Sequence, residues 1–129
     1  MNHPRVAVVI LNWNGRKFLK HFLPFVAAST YPNFEIIVAD NGSSDDSLSF
    51  LQQEFPAIRI IKFLSNHGFA RGYNDALKQV SADYYGLLNS DVEVVAGWLG
   101  PMVKLMESDP QIAACLPKIR SYLYRTLYH

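Results

Sequence analysis

Three short polar groups each directly follow an apolar run of the chain. They are Asn12–Gly15, Asp40–Ser43 and Asn89–Asp91, and the apolar runs before them predict buried strands. If these strands are parallel, their carboxyl ends lie along one edge, which is where an open α/β sheet holds its ligand. The pattern therefore predicts a small-molecule site at that edge.

The tripeptide Asn89-Ser90-Asp91 offers oxygen ligands of the kind that a hard divalent cation prefers. Mg²⁺ or Mn²⁺ commonly binds through one or two carboxylates together with substrate phosphates, and a single Asp leaves coordination positions for a diphosphate and water. The alternative is a solvated turn in which the Asp91 carboxylate bonds its own backbone. Taken alone, the tripeptide favours the turn.

Asp40 ends the apolar run that begins at Glu35. Its carboxylate could accept hydrogen bonds from a nucleobase imide or a ribose hydroxyl at the sheet edge. It could equally end the strand in a turn with Asn41-Gly42. The residues alone leave both interpretations open.

The segment "NHGFARGYN" places Gly68 and Gly72 around Arg71, just before a predicted helix. Glycine lets the backbone approach a ligand closely, and a helix start favours anions. Arg71 could therefore neutralise a phosphate or cover a base, or it could be an ordinary surface arginine. The glycine spacing matches neither a dinucleotide-binding fingerprint nor a Walker loop.

The elements that position these groups are predicted strands that alternate with predicted helices. This alternation indicates βαβ units and a parallel sheet. A first helix is expected over residues 17–29, with Pro24 kinking or ending it and Phe18 in its core-facing stripe. The second helix is expected to be capped by Ser43 or Ser44. The predicted strands cover Val6–Leu11, Glu35–Ala39, Ile58–Leu64, "DYYGLL" and "QIAACLP".

The composition limits the class of protein. The 129 residues are 50% hydrophobic and 18% charged, with a formal net charge of +1, so the chain is globular and lacks the polybasic signature of a nucleic-acid binder. A single cysteine, Cys115, excludes an internal disulfide. No apolar segment is long enough to cross a bilayer. We expect a cytoplasmic location, at the inner face of the membrane if further sequence supplies an anchor.

Four segments together resemble the family 2 glycosyltransferases, which have the GT-A fold. The resemblance covers about residues 5–119 in the order and spacing of the family, and the chain closely resembles the rhamnosyltransferase-like branch. It implies an α/β, Rossmann-like, mostly parallel sheet flanked by helices, truncated, with residues 1–129 forming the nucleotide-sugar-binding part of one domain. The matching segments are "VAVVILNWNG", "YPNFEIIVADNGSSDDS", "NHGFARGYNDAL" and "YYGLLNSDVEVVAGWL".

The resemblance also implies roles for individual residues. Asp40 would contact the base of a nucleoside-diphosphate sugar, and Asp91 would bind the divalent metal, Mg²⁺ or Mn²⁺. The remaining positions would line the nucleoside pocket (Leu11, Asn12, Asn14), cover the base and ribose (Gly68, Arg71) or lie beside the ribose and diphosphate (Asn89, Ser90).

The implied activity is inverting, metal-dependent transfer of a sugar to a glycan or lipid-linked acceptor in cell wall or polysaccharide biosynthesis. The family's acceptor half and base carboxylate are not recognisable in this sequence, so we assign no catalytic base. We expect donor binding with little transfer, a homodimer through an exposed edge or patch, and only peripheral membrane contact. The alternatives are a catalytically inactive binding or interaction module and a nucleotidyltransferase, although "NWNGRK" is not the glycine-rich basic loop of the latter.

Overall fold

The computed structural model describes residues 2–120. Within this range four strands form one parallel sheet in the order β3-β2-β1-β4. This confirms the expected mostly parallel α/β sheet flanked by helices. The strands are β1 (Val6–Asn12), β2 (Phe34–Asp40), β3 (Arg59–Lys62) and β4 (Tyr84–Asn89), and the helices are α1 (Arg16–Ala27), α2 (Ser47–Glu54), α3 (Phe69–Leu77) and α4 (Leu99–Ser108).

The central strand β1 is apolar on both sides because helices cover both faces of the sheet. Val6, Val8 and Ile10 point to the face that α1, α2 and α4 cover, whereas Ala7 and Val9 point to the face that α3 covers. This arrangement explains the unbroken apolar run that predicted the strand.

For α1, the expectation that Phe18 faces the core is wrong, and of the two outcomes expected at Pro24, a kink or an early end, the early end does not occur. The helix continues through Pro24 to Ala27, although Pro24 has no N–H to donate to the Lys20 carbonyl. Burial of Leu23 and Val26 on either side of the proline holds this last turn against the sheet. Phe18 was expected to face the core, but its side chain lies at the surface.

The expected cap of α2 is also wrong. The helix begins at Ser47, and the Asp45 carboxylate accepts the Ser47 backbone N–H at 3.0 Å in place of Ser43 or Ser44. Asp45 also accepts the Arg16 backbone N–H at 3.2 Å, so one carboxylate serves the starts of α1 and α2.

The last predicted strand, "QIAACLP", does not form, and residues 113–117 have no regular secondary structure. The segment is apolar because it borders a groove with α4, where the Cys115 thiol lies 4.0 Å from the Met102 carbonyl oxygen. A short apolar run alone does not distinguish this packing from a strand.

Candidate functional site

The three polar groups of the sequence meet where the strand order reverses. β2 and β3 lie on one side of β1 and β4 lies on the other, so the carboxyl ends of β1 and β4 border the switch point of the sheet. The register pairs Asn12 with Asp40 and Leu11 with Asn89. The predicted common edge is therefore confirmed.

Asp40 is buried and held by its own turn. Its Oδ1 atom accepts hydrogen bonds from Asn12 Nδ2 at 3.0 Å and from the Ser43 hydroxyl at 2.7 Å, and its Oδ2 atom accepts the Ser43 N–H at 3.1 Å. Only 1% of Asp40 is exposed. The two Ser43 contacts are those of the turn interpretation, whereas the Asn12 contact joins β1 to β2. Together they occupy three of about four acceptor positions of a carboxylate.

Asn12 leaves one buried oxygen without a partner. Because Nδ2 faces the Asp40 acceptor, Oδ1 points away from Asp40, and no residue of the described chain donates to it. A Cβ atom added to Gly15 would lie 2.4 Å from this oxygen and 3.2 Å from Ser90 Oγ. Gly15 thus packs so closely against Asn12 and Ser90 that a side chain at this position would overlap with the Asn12 amide.

Asn14 ties the end of β1 to the loop after β2. Its Oδ1 atom accepts the backbone N–H groups of Ser44 at 2.7 Å and Asp45 at 3.1 Å, and its own N–H donates to Ser43 Oγ at 2.9 Å. The residue has a φ of 50°, a conformation that Asn adopts more readily than most residues. Asn14 therefore shapes the edge, and the exposed Trp13 precedes it.

Asn41 makes the corresponding link to the glycine loop, and the sequence reasoning did not assign it to the site. Its Nδ2 atom donates to Asn66 Oδ1 and to the Gly68 carbonyl, both at 3.1 Å, while its Oδ1 accepts the His67 N–H at 2.8 Å. Gly68, which directly precedes α3, has a φ of 81°. The sequence signals for Asn41 were its place in the polar group Asp40–Ser43 and in the expected turn with Gly42, and neither pointed to the glycine loop.

Arg71 lies on the outer side of α3 and forms an ion pair there. Its side chain is 72% exposed, and Nε lies 3.2 Å from Asp75 Oδ2. Asp75 also bonds His67 Nδ1 at 2.9 Å and has Lys78 at 3.6 Å. Burial alone would raise the Asp75 pKa, but the His67 hydrogen bond and the two cations outweigh it and lower the pKa. These contacts agree with the interpretation of Arg71 as an ordinary surface arginine.

Asp91 lies in the turn after β4 and is exposed. The alternative bond from its carboxylate to its own backbone is not found among residues 2–120. The residue is close enough to Tyr73 that its charge, after burial, raises the Tyr73 pKa. Tyr73 itself is a packing residue, because its hydroxyl donates to the Leu88 carbonyl at 2.8 Å.

No three His, Cys, Asp or Glu side chains gather as a metal site in the part of the chain that the structure describes. One exposed carboxylate nevertheless fits a cation that takes its other ligands from a diphosphate and water. Asp91 has this form, because its carboxylate is exposed in the turn after β4 and Ser90 precedes it there. The residues present therefore fit a metal that arrives with its substrate.

Several glycosyltransferases are similar in sequence to most of this chain. An uncharacterized glycosyltransferase of Haemophilus influenzae is 29% identical over 116 residues, which are 88% of this chain and 36% of the relative. A Campylobacter jejuni enzyme named GalNAc(5)-diNAcBac-PP-undecaprenol beta-1,3-glucosyltransferase is 27% identical over 105 residues, 78% of this chain and 34% of the enzyme. The chain thus spans about a third of the length of these relatives.

Solved structures share the fold. Mannosyltransferase PcManGT from Pyrobaculum calidifontis, in complex with GDP-Man and Mn²⁺, aligns with a TM-score of 0.81 at 22% identity, covering 92% of this chain and 37% of that one. S. aureus TarS 1-349 in complex with UDP-GlcNAc gives 0.74 at 18% identity, covering 88% and 37%. At these identities the likeness establishes the GT-A fold.

The sequence model of Glycosyl transferase family 2 matches residues 7–129, almost the whole chain. The match includes every strand of the sheet, except the first residue of β1, and all three polar groups at its edge. The chain therefore belongs to glycosyltransferase family 2.

Proposed function

We propose that this chain forms the donor-binding part of an inverting, metal-dependent glycosyltransferase of hexosyl- or rhamnosyltransferase type. It would bind a nucleoside-diphosphate sugar for transfer to a glycan or lipid-linked acceptor in cell wall or polysaccharide biosynthesis. The observation that carries the proposal is the convergence of Asn12, Asp40 and Asn89–Asp91 at the switch point of the sheet. The related structures with bound GDP-Man and UDP-GlcNAc support a nucleotide-sugar donor.

The nucleoside would lie at the ends of β1 and β2. Asp40 keeps about one free acceptor position for a base N–H, and its other bonds fix the carboxylate in advance. Asn12 would contribute to this pocket by orienting the Asp40 carboxylate through its Nδ2 group. Leu11 and Asn14 would line this pocket, while Gly68 and Arg71 would border it from the loop before α3.

The diphosphate would lie beside the end of β4. Asp91 would hold a Mg²⁺ or Mn²⁺ ion, which supplies positive charge to the departing nucleoside diphosphate. Asn89 and Ser90 would bind beside the ribose and diphosphate, and the start of α3 after Gly68 offers N–H groups that favour anions. No residue is assigned as the base that deprotonates the acceptor.

Calorimetric titration of UDP, GDP and dTDP, each with and without Mn²⁺, tests this proposal. We expect binding of at least one nucleotide to tighten with Mn²⁺ and the Asp91→Ala variant to lose that gain. Glu54→Ala, which removes an exposed carboxylate at the end of α2, is the matched control. If Asp91→Ala keeps the full Mn²⁺ effect, the metal assignment is wrong, and if no nucleotide binds, the donor assignment is wrong.

The second candidate function is a catalytically inactive nucleotide-sugar-binding or interaction module. It is favoured by the lack of an assigned base among the residues at the switch point. Donor binding by calorimetry, without release of nucleoside diphosphate when an acceptor glycan is added, supports this candidate. Release of nucleoside diphosphate that depends on the acceptor contradicts it.

The proposed partners include a membrane surface and a second copy of the chain. Within residues 2–120 no helix has the length and apolarity needed to cross a bilayer. The proposed contact is at the membrane periphery, on the cytoplasmic face. The undecaprenol-linked acceptor in the name of the C. jejuni relative supports a lipid-linked acceptor. Self-association would use the outer edge of β4, where Leu87 is exposed.

A further inference from the structure

One buried side chain fixes the loop between β3 and α3 to the end of β2. We call this loop, residues 63–68, the glycine loop. Asn41 directly follows β2 and is only 3% exposed, and its Nδ2 atom donates to Asn66 Oδ1 and to the Gly68 carbonyl, both at 3.1 Å. Its Oδ1 atom accepts the His67 N–H at 2.8 Å. Three consecutive residues of the loop are thus bonded to one amide.

The Asn41 amide has little hydrogen-bonding capacity left for a ligand. An amide nitrogen carries two hydrogens, and Nδ2 needs both for the two bonds that it donates to the loop. Helix α3 also encloses the side chain, since a Cβ added to Gly72 would lie 3.2 Å from Asn41 Nδ2. An effect of Asn41 on a ligand is therefore transmitted through the loop that it holds.

The Gly68 carbonyl connects this anchor to the start of α3. Besides the Asn41 amide, it accepts the Gly72 N–H at 3.1 Å, which is the bond that begins the helix. The Gly68 N–H donates to Asn66 Oδ1 at 2.7 Å, so the peptide groups on both sides of Gly68 have fixed partners. By holding Gly68, Asn41 fixes the first turn of α3 and the N–H groups that a helix start leaves unpaired.

The outer side of the loop has a second anchor. The His67 ring stacks on Phe63 at 4.4 Å between ring centroids, and its Nδ1 atom lies 2.9 Å from Asp75 Oδ2. The His67 and Asp75 side chains are 19% and 23% exposed, so water competes with their contact more than with the buried Asn41 amide. Loss of the Asn41 contacts should therefore loosen the loop more than loss of the outer contact.

We propose that Asn41 is a positioning residue that holds the glycine loop in the conformation that binds the donor. The inference rests on the proposed function, in which Gly68 and Arg71 border the nucleoside pocket. A loop that is already in place needs no ordering when a nucleotide binds, and the apparent affinity falls with the fraction of chains in which the loop is in place. Because Asn41 follows Asp40 directly, one buried turn orients both the carboxylate and the loop.

Asn41→Asp tests this role with little change in side-chain volume. A carboxylate oxygen replaces Nδ2 and cannot donate to Asn66 Oδ1 or to the Gly68 carbonyl. Calorimetry with UDP, GDP and dTDP measures the consequence. We expect the affinity for the nucleotide that binds the unmodified chain most tightly to fall on the order of tenfold, as it would if only about a tenth of the chains kept the loop in place.

Amide hydrogen exchange without nucleotide, followed by NMR, separates positioning from other roles. In Asn41→Asp the His67 and Gly72 amides should exchange faster, whereas the amide of Val38, which is fully buried inside β2, should stay protected. A purely structural role would accelerate exchange in the core as well. A direct contact with the nucleotide would weaken binding and leave exchange in the loop unchanged. Either result would overturn the proposal.

Asn33→Asp is the matched control, because Asn33 Nδ2 donates to the His3 carbonyl at 2.9 Å beside the opposite end of β2. It should leave nucleotide affinity and loop exchange unchanged. If Asn41→Asp does not fold, Asn66→Ala removes one acceptor of the same amide from an exposed position and should loosen the same loop amides. Unchanged affinity in the folded variant would overturn the proposal. Absence of nucleotide binding by the unmodified chain is a different result, which contradicts the proposed function itself.

Discussion

Asn12 Nδ2 donates to Asp40 Oδ1 across 3.0 Å, and neither residue has more than 1% of its surface exposed. The bond joins the carboxyl ends of the neighbouring strands β1 and β2. It also orients the Asn12 amide, because only the nitrogen can face the carboxylate. The candidate site is thus organised by a buried polar contact before any ligand binds.

Replacing Asn12 with Ala should destabilise the fold by about 1–3 kcal/mol, since the buried Asp40 carboxylate loses a hydrogen-bond donor. Urea unfolding monitored by circular dichroism measures the change. The control is Asn74→Ala on the exposed side of α3, which should change stability by less than about 0.5 kcal/mol. Equal stability of the two variants would show that the contact contributes nothing.

Three Gly→Ala substitutions should separate backbone strain from steric overlap. Gly42 and Gly68 both have positive φ, but a Cβ at Gly42 would lie 2.6 Å from the Ser65 carbonyl carbon, whereas one at Gly68 meets no atom within 4 Å. Gly68 combines a φ of 81° with a ψ of 179°, so we expect Gly68→Ala to cost about 1–3 kcal/mol from strain alone and Gly42→Ala to cost more.

Gly100 supplies the control for this series. It lies in α4 with open space around its Cα, so Gly100→Ala should leave stability unchanged or raise it by up to about 1 kcal/mol. Thermal and urea unfolding of the three variants give the ranking. A larger loss for Gly68→Ala than for Gly42→Ala would contradict the overlap with the Ser65 backbone.

Site residues that directly follow a buried strand could be predicted from the sequence. Hydrogen bonds that link one loop to another could not. The run before Asn12 predicted β1 because a strand that is buried on both faces needs no polar alternation. Asn41 was missed because its partners, Asn66 and the Gly68 carbonyl, come from a segment more than 20 residues later. The residues alone likewise could not choose between the two roles of Asp40, since Asn12 and Ser43 reach its carboxylate only in the folded chain.

The packing of Phe18 was also not predictable from the sequence. Its helical spacing matched the core stripe, but that stripe is wider than the surface that the sheet offers to α1, and the ring lies at the surface. The apolar run 111–117 was likewise assigned to a strand, although it borders a groove with α4. In both cases apolar character was identified correctly, while the surface that it contacts depends on the whole fold.

Stability should fall at alkaline pH because of Tyr84. Its hydroxyl donates to the Glu107 carboxylate, and this bond, with burial and the Glu107 charge, raises the Tyr84 pKa to about 12. The unfolded chain releases this proton near pH 10. The contribution of Tyr84 is therefore fully present below about pH 10 and is lost as pH rises toward the folded pKa.

Urea unfolding at several pH values measures this loss. Tyr84→Phe should be less stable than the unmodified chain near neutral pH, and the difference should shrink above about pH 10, where the unfolded chain begins to lose the Tyr84 proton. Glu107→Gln keeps an acceptor oxygen but removes the charge, so it should weaken the same pH dependence. A difference that stays constant from neutral to alkaline pH would contradict the role of the Tyr84–Glu107 bond.

Self-association through β4 should depend on Leu87. Within residues 2–120 the strand pairs with β1 alone, its sequence "YYGLLN" contains no charge or proline to block an edge, and Leu87 is exposed near its centre. We expect sedimentation velocity at high concentration to show a dimer that Leu87→Lys converts to a monomer, because a lysine on the open strand opposes pairing. Leu105→Lys, which places the same charge on the exposed side of α4, should leave the dimer intact. A monomeric unmodified chain, or equal loss in both variants, would exclude the β4 edge as the contact between copies.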